Sequence, residues 1–360
     1  MPQLIFVPGP SATYFTLEDH LKSALKEQVM AISHRSPAFK GIYKFTVEQL
    51  RQLLDIPQAY EVVFTTSATE VWDRMAENLV DTHSLHHVHG AFSKKCAQAF
   101  QRLGKEAQMI TAPEGTVALF DPKAVEAQPE LIHFTANETA TGVKHPMADL
   151  REAKKHFPDA LIAMDVVSST PTTPIPFEDL DSVYFSVQKC FGLPAGLGVW
   201  IVSPRAIAKA HALTVAGKVY PSYHPLLEMV DKGKGYQTIE TPNTLNIYLL
   251  GKVAEDFRRK GVDVIRREAI YKNTILIKCF EDHPLLSPLV QEKDWRSDTV
   301  AVANVEGGSA PLIAYLKEKG LVVGAGYGKH KAAQIRIANF PTHSKEQIEL
   351  LVDLIADWRP

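Results

Sequence analysis

The sequence predicts an α/β fold: a large domain with a mostly parallel sheet, followed by a smaller α+β domain at the C-terminal end. Two observations carry this. Short apolar runs close on polar or glycine positions at residues 60–65, 131–135, 161–165, 183–187 and 199–202, and helix-like stretches at 68–79, 92–103 and 147–156 lie between several of them. Such alternation places helices on both faces of a parallel sheet and collects ligands at the strand ends. The second observation is a change of pattern near Thr241-Pro-Asn-Thr244, which sets a domain boundary near residue 245.

The elements follow in order. Residues 4–7 are extended and lead into the Pro8-Gly9-Pro10 turn. Thr16 can cap a helix whose apolar residues Leu17, Leu21, Leu25, Val29 and Ile32 recur at helical spacing, with Glu18 and Asp19 in its first turn. The alternating region comes next. Beyond residue 244 a long helical pattern covers 245–261 and continues through Ile270 and Asn273. Two runs of strand character, 300–305 and 334–338, flank a helix-like stretch at 311–319. Ser344-Lys-Glu-Gln347 has the capping-box pattern and opens a closing helix at 348–358.

Composition bounds the function. The 360 residues, 45% hydrophobic and 22% charged, suit a globular chain with a sizeable core. Lys and Arg number 39 against 41 Asp and Glu, a net charge of −2, so no global basic field favours nucleic acid or an anionic membrane. The three cysteines, Cys96, Cys190 and Cys279, are far apart and in no metal-like spacing, which fits a reducing compartment. The N-terminus has no basic start followed by a long apolar segment, and no window nears the ~18 apolar residues of a membrane span. The cytosol is the expected location.

The chemistry begins at Lys189. It follows the run Val183-Tyr-Phe-Ser-Val187 and Gln188, and precedes a turn carrying Gly192, Gly196 and Gly198. A lysine there can be desolvated, lose its proton and attack a carbonyl. The plainer reading is a lysine whose stem reaches out at a strand end. Asp165, which closes the run 160–164, favours the first. Pyridoxal phosphate needs a lysine to hold its aldehyde and a carboxylate to keep its ring nitrogen protonated.

Asp165-Val-Val-Ser-Ser-Thr170 and Tyr184-Phe-Ser-Val-Gln-Lys-Cys-Phe-Gly-Leu-Pro-Ala-Gly-Leu-Gly198 resemble the core of the phosphoserine aminotransferase family, class V members of the fold-type-I pyridoxal-phosphate enzymes. Pro8-Gly-Pro10, Ser33-His-Arg35, Asn137-Glu-Thr139 with Gly142, Thr241-Pro242 and Arg336 extend the resemblance over nearly the whole chain, in the family's order. It implies a large cofactor domain at 12–245 with a seven-stranded type of sheet, and a small domain at 246–360 that takes back residues 1–11. It also implies a homodimer with shared active sites, and transfer of an amino group between L-glutamate and a phosphorylated 2-oxo acid, 3-phosphohydroxypyruvate.

Carried onto this sequence, the resemblance makes Lys189 and Asp165 catalytic. It assigns the cofactor to Ala68, Thr69, Phe92, Thr139, Asp165, Gln188, Lys189, Glu240 and Thr241, the last from the partner subunit, and the substrate to His34, Arg35 and Arg336. The residues alone say less. Thr65-Thr-Ser-Ala-Thr69 is a strand-to-helix turn whose amides could hold a phosphate or merely cap a helix; Phe92 reads as core, Asn137–Gly142 as a turn, and His34-Arg35 as solvated surface. Arg336 is a charge inside an apolar strand and needs a partner.

Glu70 stands where the family carries an arginine, which keeps open another class V transaminase acting on a small amino acid with glyoxylate or pyruvate. A cysteine-desulfurase-like lyase would need a nucleophilic cysteine, and Cys279 sits in a buried helical pattern. A cofactor-binding regulator would need an appended DNA-binding module. His86-His-Val-His89 lacks an accompanying carboxylate or cysteine set, so no metal is expected. Gly324-Ala-Gly-Tyr-Gly328 is expected to be a mobile loop.

Overall fold

The computed structural model, which describes residues 3–219 and 222–359, arranges the chain around two sheets. After β1 (Leu4–Phe6) comes α1 (Leu17–Lys26), shorter than expected: Gln28 turns left-handed at φ 54 and Val29–Ala31 form a single 3-10 turn. Thr16 does not cap it through its side chain; the hydroxyl donates to Asp256 Oδ2 at 2.7 Å. The next helix, α2 (Pro37–Leu54), was not anticipated. Ser36 accepts from the Phe39 N–H and Pro37 fills the first turn. Gly41 and the aromatic and β-branched residues Tyr43, Phe45, Thr46 and Val47 weaken its helical signal. Burial of Phe39, Tyr43, Val47 and Leu50 overrides that weakness.

The large sheet then assembles from β2 (Glu61–Thr65), β3 (His83–Val88), β4 (Glu106–Thr111), β5 (Leu131–Thr135), β8 (Leu161–Asp165), β9 (Ser182–Ser186) and β10 (Gly198–Val202). A two-stranded pair, β6 (Asn137–Glu138) and β7 (Val143–Lys144), lies between β5 and β8. The order across the sheet is β2-β10-β9-β8-β5-β3-β4. β10 runs antiparallel to both neighbours and the remaining pairs are parallel. The helices α3 (Ala68–Leu79), α4 (Ala91–Arg102), α5 (Ala148–His156), α6 (Pro204–Val215) and α7 (Leu226–Lys234) connect these strands or cover them. The C-terminal ends of β2, β3, β5, β8 and β9 share one edge, so residues far apart in sequence meet there.

The long helical pattern after residue 244 is two helices, α8 (Thr244–Lys260) and α9 (Val262–Asp282), separated by Gly261 at φ 89. α8 packs along α2; at Gly251 a Cβ would lie 2.5 Å from Thr46 Oγ1, so glycine permits the approach. Ile247, Leu250, Phe257 and Ile265 therefore belong to the core of the large sheet, whereas Leu276 and Phe280 join a second core with Phe6, Ile335, Ile337 and Trp358. The core changes within α9 rather than at 245/246, because α8 completes the apolar face left by α2.

The second sheet has the order β1-β13-β14-β12-β11, from β11 (Leu286–Pro288), β12 (Val300–Val305), β13 (Leu321–Ala325) and β14 (Gln334–Ala338). α10 (Ala310–Glu318) and α11 (Lys345–Asp357) cover it, and the capping box at Ser344 and Gln347 forms as the sequence suggests. The segment expected to be a mobile loop is mostly regular. Gly324 and Ala325 end β13 and Gly328–His330 make one 3-10 turn. A Cβ at Gly324 would lie 3.0 Å from Pro8 Cδ and 3.2 Å from the Arg336 carbonyl, so the glycine admits both the turn at Pro8 and β14.

Candidate active site

Lys189 lies just beyond β9 and is 7% exposed. Its Nζ donates to Thr139 Oγ1 at 2.7 Å and stands 4.9 Å from the centre of the Phe92 ring. Burial pulls the ammonium below the usual lysine range, against the opposing charge of Asp165. The Pro8-Gly9-Pro10 turn closes over the stem: Gly9 has φ 145, and a Cβ there would be 3.0 Å from Lys189 Cε. Asp165, at the end of β8, is 6% exposed and accepts from the Val167 N–H at 2.9 Å. Burial raises its carboxyl to about 6, although Val167 and the Lys189 charge act the other way.

Glu138 is a site residue to which the sequence reading gave no role. Its buried carboxylate accepts from the N–H groups of Phe92, Ser93 and Ala140 at 2.9–3.1 Å and from the Ser93 hydroxyl at 2.9 Å. It thereby satisfies the orphan amides that open α4 and fixes Phe92. Gly90 was the available signal, since a Cβ there would lie 2.2 Å from Glu138 Cγ. Thr139 donates to Ser168 Oγ at 2.9 Å, and Asn137 Nδ2 donates to the same oxygen at 2.8 Å. Arg336, on β14, donates from Nε to the Ala325 carbonyl at 2.8 Å and from Nη1 to the Thr139 carbonyl at 3.3 Å. Its guanidinium carbon is 5.3 Å from the Tyr327 ring centre. The fold thus brings Lys189, Asp165, Phe92, Thr139 and Arg336 into one site.

The turn at 65–69 abuts the same edge but differs from expectation. The Ala68 N–H donates to Ser186 Oγ at 2.6 Å. Ser67 accepts the Glu70 N–H at 3.2 Å, and the Thr69 amide has no protein partner among the described residues. Glu70 folds back onto the turn, accepting from the Thr66 N–H and hydroxyl at 2.7 Å each.

Its other oxygen meets His224 Nδ1, and His224 Nε2 donates to Glu240 at 2.8 Å. The Glu240 side chain is thus held by His224 and, being anionic, does not suit a phosphate. Arg35 donates to the carbonyls of Thr238 and Ile239 at 2.9 Å each. His34 Nδ1 lies 3.3 Å from Thr241 Oγ1. Gln188 accepts the Ser11 N–H on its carbonyl at 3.1 Å.

Burial alone would depress His224, but hydrogen bonds and charge from Glu240 and Glu70 outweigh it and hold the imidazole at about 9. Burial would raise Glu70, but His224 and Thr66 hold it at about 2. The histidine's contribution to stability is therefore full below its ordinary 6.5 and is lost as pH rises through about 9. The glutamate's is full above 4.5 and is lost as pH falls towards about 2. Thermal unfolding midpoints should be higher for the unmutated protein than for His224→Gln near about pH 6, with the gap closing by about pH 9.5. A gap that persists at the higher pH would exclude the charged bridge.

These residues fit pyridoxal phosphate on structural grounds. A desolvated lysine faces a buried carboxylate whose charge has no arginine or lysine ion-pair partner among the described residues. Ser11 Oγ, Thr135 Oγ1 and Asn137 Oδ1 are buried without a hydrogen-bond partner among the described residues; Ser11 is bonded to Gln188 through the backbone, Thr135 pairs with Asp165 across the sheet, and Asn137 is two residues from Thr139.

Two other clusters bear on rival readings. His86 is joined by Cys96 from α4 and His133 from β5, with ligand-type atoms within 4.8 Å of one another, so the histidine run does have a cysteine beside it. His86 Nε2 meets the Ser84 hydroxyl at 3.0 Å and His133 Nε2 meets Tyr184 at 2.7 Å, and burial pulls both imidazoles down to the neutral form. Cys279 is buried in α9 with its thiol pushed up to about 11 by burial, which denies it the thiolate a desulfurase requires. Among the described residues no helix is long and apolar enough to cross a membrane.

The profile of the aminotransferase class-V family matches residues 12–350. A crystal structure of a phosphoserine aminotransferase from Cytophaga hutchinsonii superposes with a TM-score of 0.96 at 42% identity, covering 99% of each chain. A phosphoserine aminotransferase of a Nocardioides species is 27% identical over 98% of this chain and 94% of its own. One from Rhodococcus opacus is 29% identical over 92% and 88%. An aspartate aminotransferase from Thermus thermophilus, at 20% identity and a TM-score of 0.84 over 98% of this chain and 97% of its own, shares the fold.

Proposed function

The chain belongs to the class-V aminotransferase family, and from that premise we propose that it exchanges an amino group between L-glutamate and 3-phosphohydroxypyruvate, the reaction of the phosphoserine aminotransferases in L-serine biosynthesis. The observation that carries the reading is the likeness over the whole chain to the Cytophaga hutchinsonii enzyme. Pyridoxal phosphate, when bound, supplies an aldehyde that an amine can hold and a protonated pyridine ring that draws electrons from the substrate α-carbon.

In this reading Lys189 holds the cofactor. Its Nζ, desolvated by burial, would serve as the base that takes the proton from the substrate α-carbon. Thr139 orients Nζ through their hydrogen bond. Asp165 keeps the ring nitrogen protonated, and Phe92, held by Glu138, offers a flat apolar face. Arg336 presents its remaining guanidinium donors to the substrate α-carboxylate. The Thr69 amide, Gln188 and Thr241 serve the cofactor phosphate.

His34 and Thr241, on two loops that Arg35 joins through the 238 and 239 carbonyls, would reach the site of a second copy in a cytoplasmic homodimer. Glu70 kept the small-substrate reading open, but its carboxylate is engaged by Thr66 and His224 and does not reach out as a substrate group.

Purified protein supplied with glutamate and a panel of 2-oxo acids should favour 3-phosphohydroxypyruvate over hydroxypyruvate, pyruvate and glyoxylate by about tenfold or more in kcat/KM. Equal use of phosphorylated and unphosphorylated acceptors would overturn the substrate assignment.

A further inference from the structure

Lys95 follows Phe92 by one turn of α4, so both side chains leave the same side of the helix. Its Nζ donates to the Tyr327 hydroxyl at 2.7 Å and stands 5.1 Å from that ring's centre and 5.6 Å from the centre of Phe92. The two rings are 5.3 Å apart. Arg336 lies on Tyr327 and Lys189 on Phe92. Three basic side chains are therefore gathered around two aromatic rings.

Their hydrogen bonds go to hydroxyls and carbonyls, and none has a carboxylate ion-pair partner among the described residues. Basic groups so arranged, with Lys95 and Arg336 charged, call for anions. Lys189 is needed at the reacting amine and Arg336 at the α-carboxylate. Arg35, the cation expected at the second anion, gives two of its donors to carbonyls of its own chain.

We propose that Lys95, hinged on Tyr327, binds the distal anionic group of the substrate: the phosphate of phosphoserine and the γ-carboxylate of glutamate. The proposal rests on the substrate reading above. An exposed lysine on a flexible stem offers a compact point charge that suits both anions. Tyr327 holds that charge beside the site before substrate arrives.

The test uses the holoenzyme and 3-phosphoglycerate, which carries both anions but neither an amine nor an oxo group and so binds without reacting. Calorimetry should show Lys95→Met binding it about tenfold more weakly, with Lys95→Arg recovering most of the loss. In kcat/KM, Lys95→Met should lose about tenfold more with phosphoserine than with serine, and more with glutamate than with alanine. Unaltered 3-phosphoglycerate binding, or equal losses within each pair, would overturn the role of Lys95. Should the unmutated enzyme use phosphoserine and serine equally, the substrate reading fails instead. The glutamate and alanine pair then decides Lys95 by itself, a preferential loss with glutamate supporting it and equal losses sinking it.

Discussion

Lys189→Ala should bind pyridoxal phosphate loosely and turn over at least about 10⁴-fold more slowly than the unmutated protein, because one substitution removes both the covalent anchor and the general base. Lys189 is the lysine buried against Thr139 and Phe92, while Lys95 is exposed and bonded to Tyr327. Borohydride reduction of the loaded enzyme followed by peptide mapping should place the label on Lys189. A label on another lysine, or Lys189→Ala turnover within tenfold of the unmutated rate, would refute the assignment.

Asp165→Asn should keep the fold and lose roughly 10³-fold in turnover. An opposite charge at contact distance shifts a partner's proton affinity by ~1–3 pKa units, so a neutral amide lowers the protonated fraction of the ring nitrogen by up to about 10³. The buried carboxyl of Asp165, raised to about 6 by burial, gains from such a partner. The amide is close in size to the carboxylate and keeps the acceptor for the Val167 N–H. Unchanged thermal stability with lost turnover would separate the electrostatic role from a packing role. Near-normal turnover would remove Asp165 from the mechanism.

Local sequence determined a good part of this protein. The strands at 131–135, 161–165, 300–305 and 334–338 were readable to the residue because each is a continuous apolar or alternating run closed by a polar group. The closing helix was readable from its capping box, whose two hydrogen bonds join residues three apart. Lys189 and Asp165 stand out in the sequence because a charged residue ending a buried strand is costly unless it has a task.

The tertiary structure decided the rest. α2 is held by burial against α8 rather than by its own propensity, which also moved the core boundary into α9. Ala68 gives its amide to Ser186, Glu70 and Glu240 close on His224, and Glu138 gathers the amides that open α4. Arg35 turns its fork to the 238–239 carbonyls, and Cys96 and His133 arrive beside His86. Most of these contacts join residues tens to hundreds of positions apart. Propensity, periodicity and capping act within a few residues, so they fix where strands and helices form, whereas the partner of a buried polar group is set by which chain ends the sheet order brings to one edge.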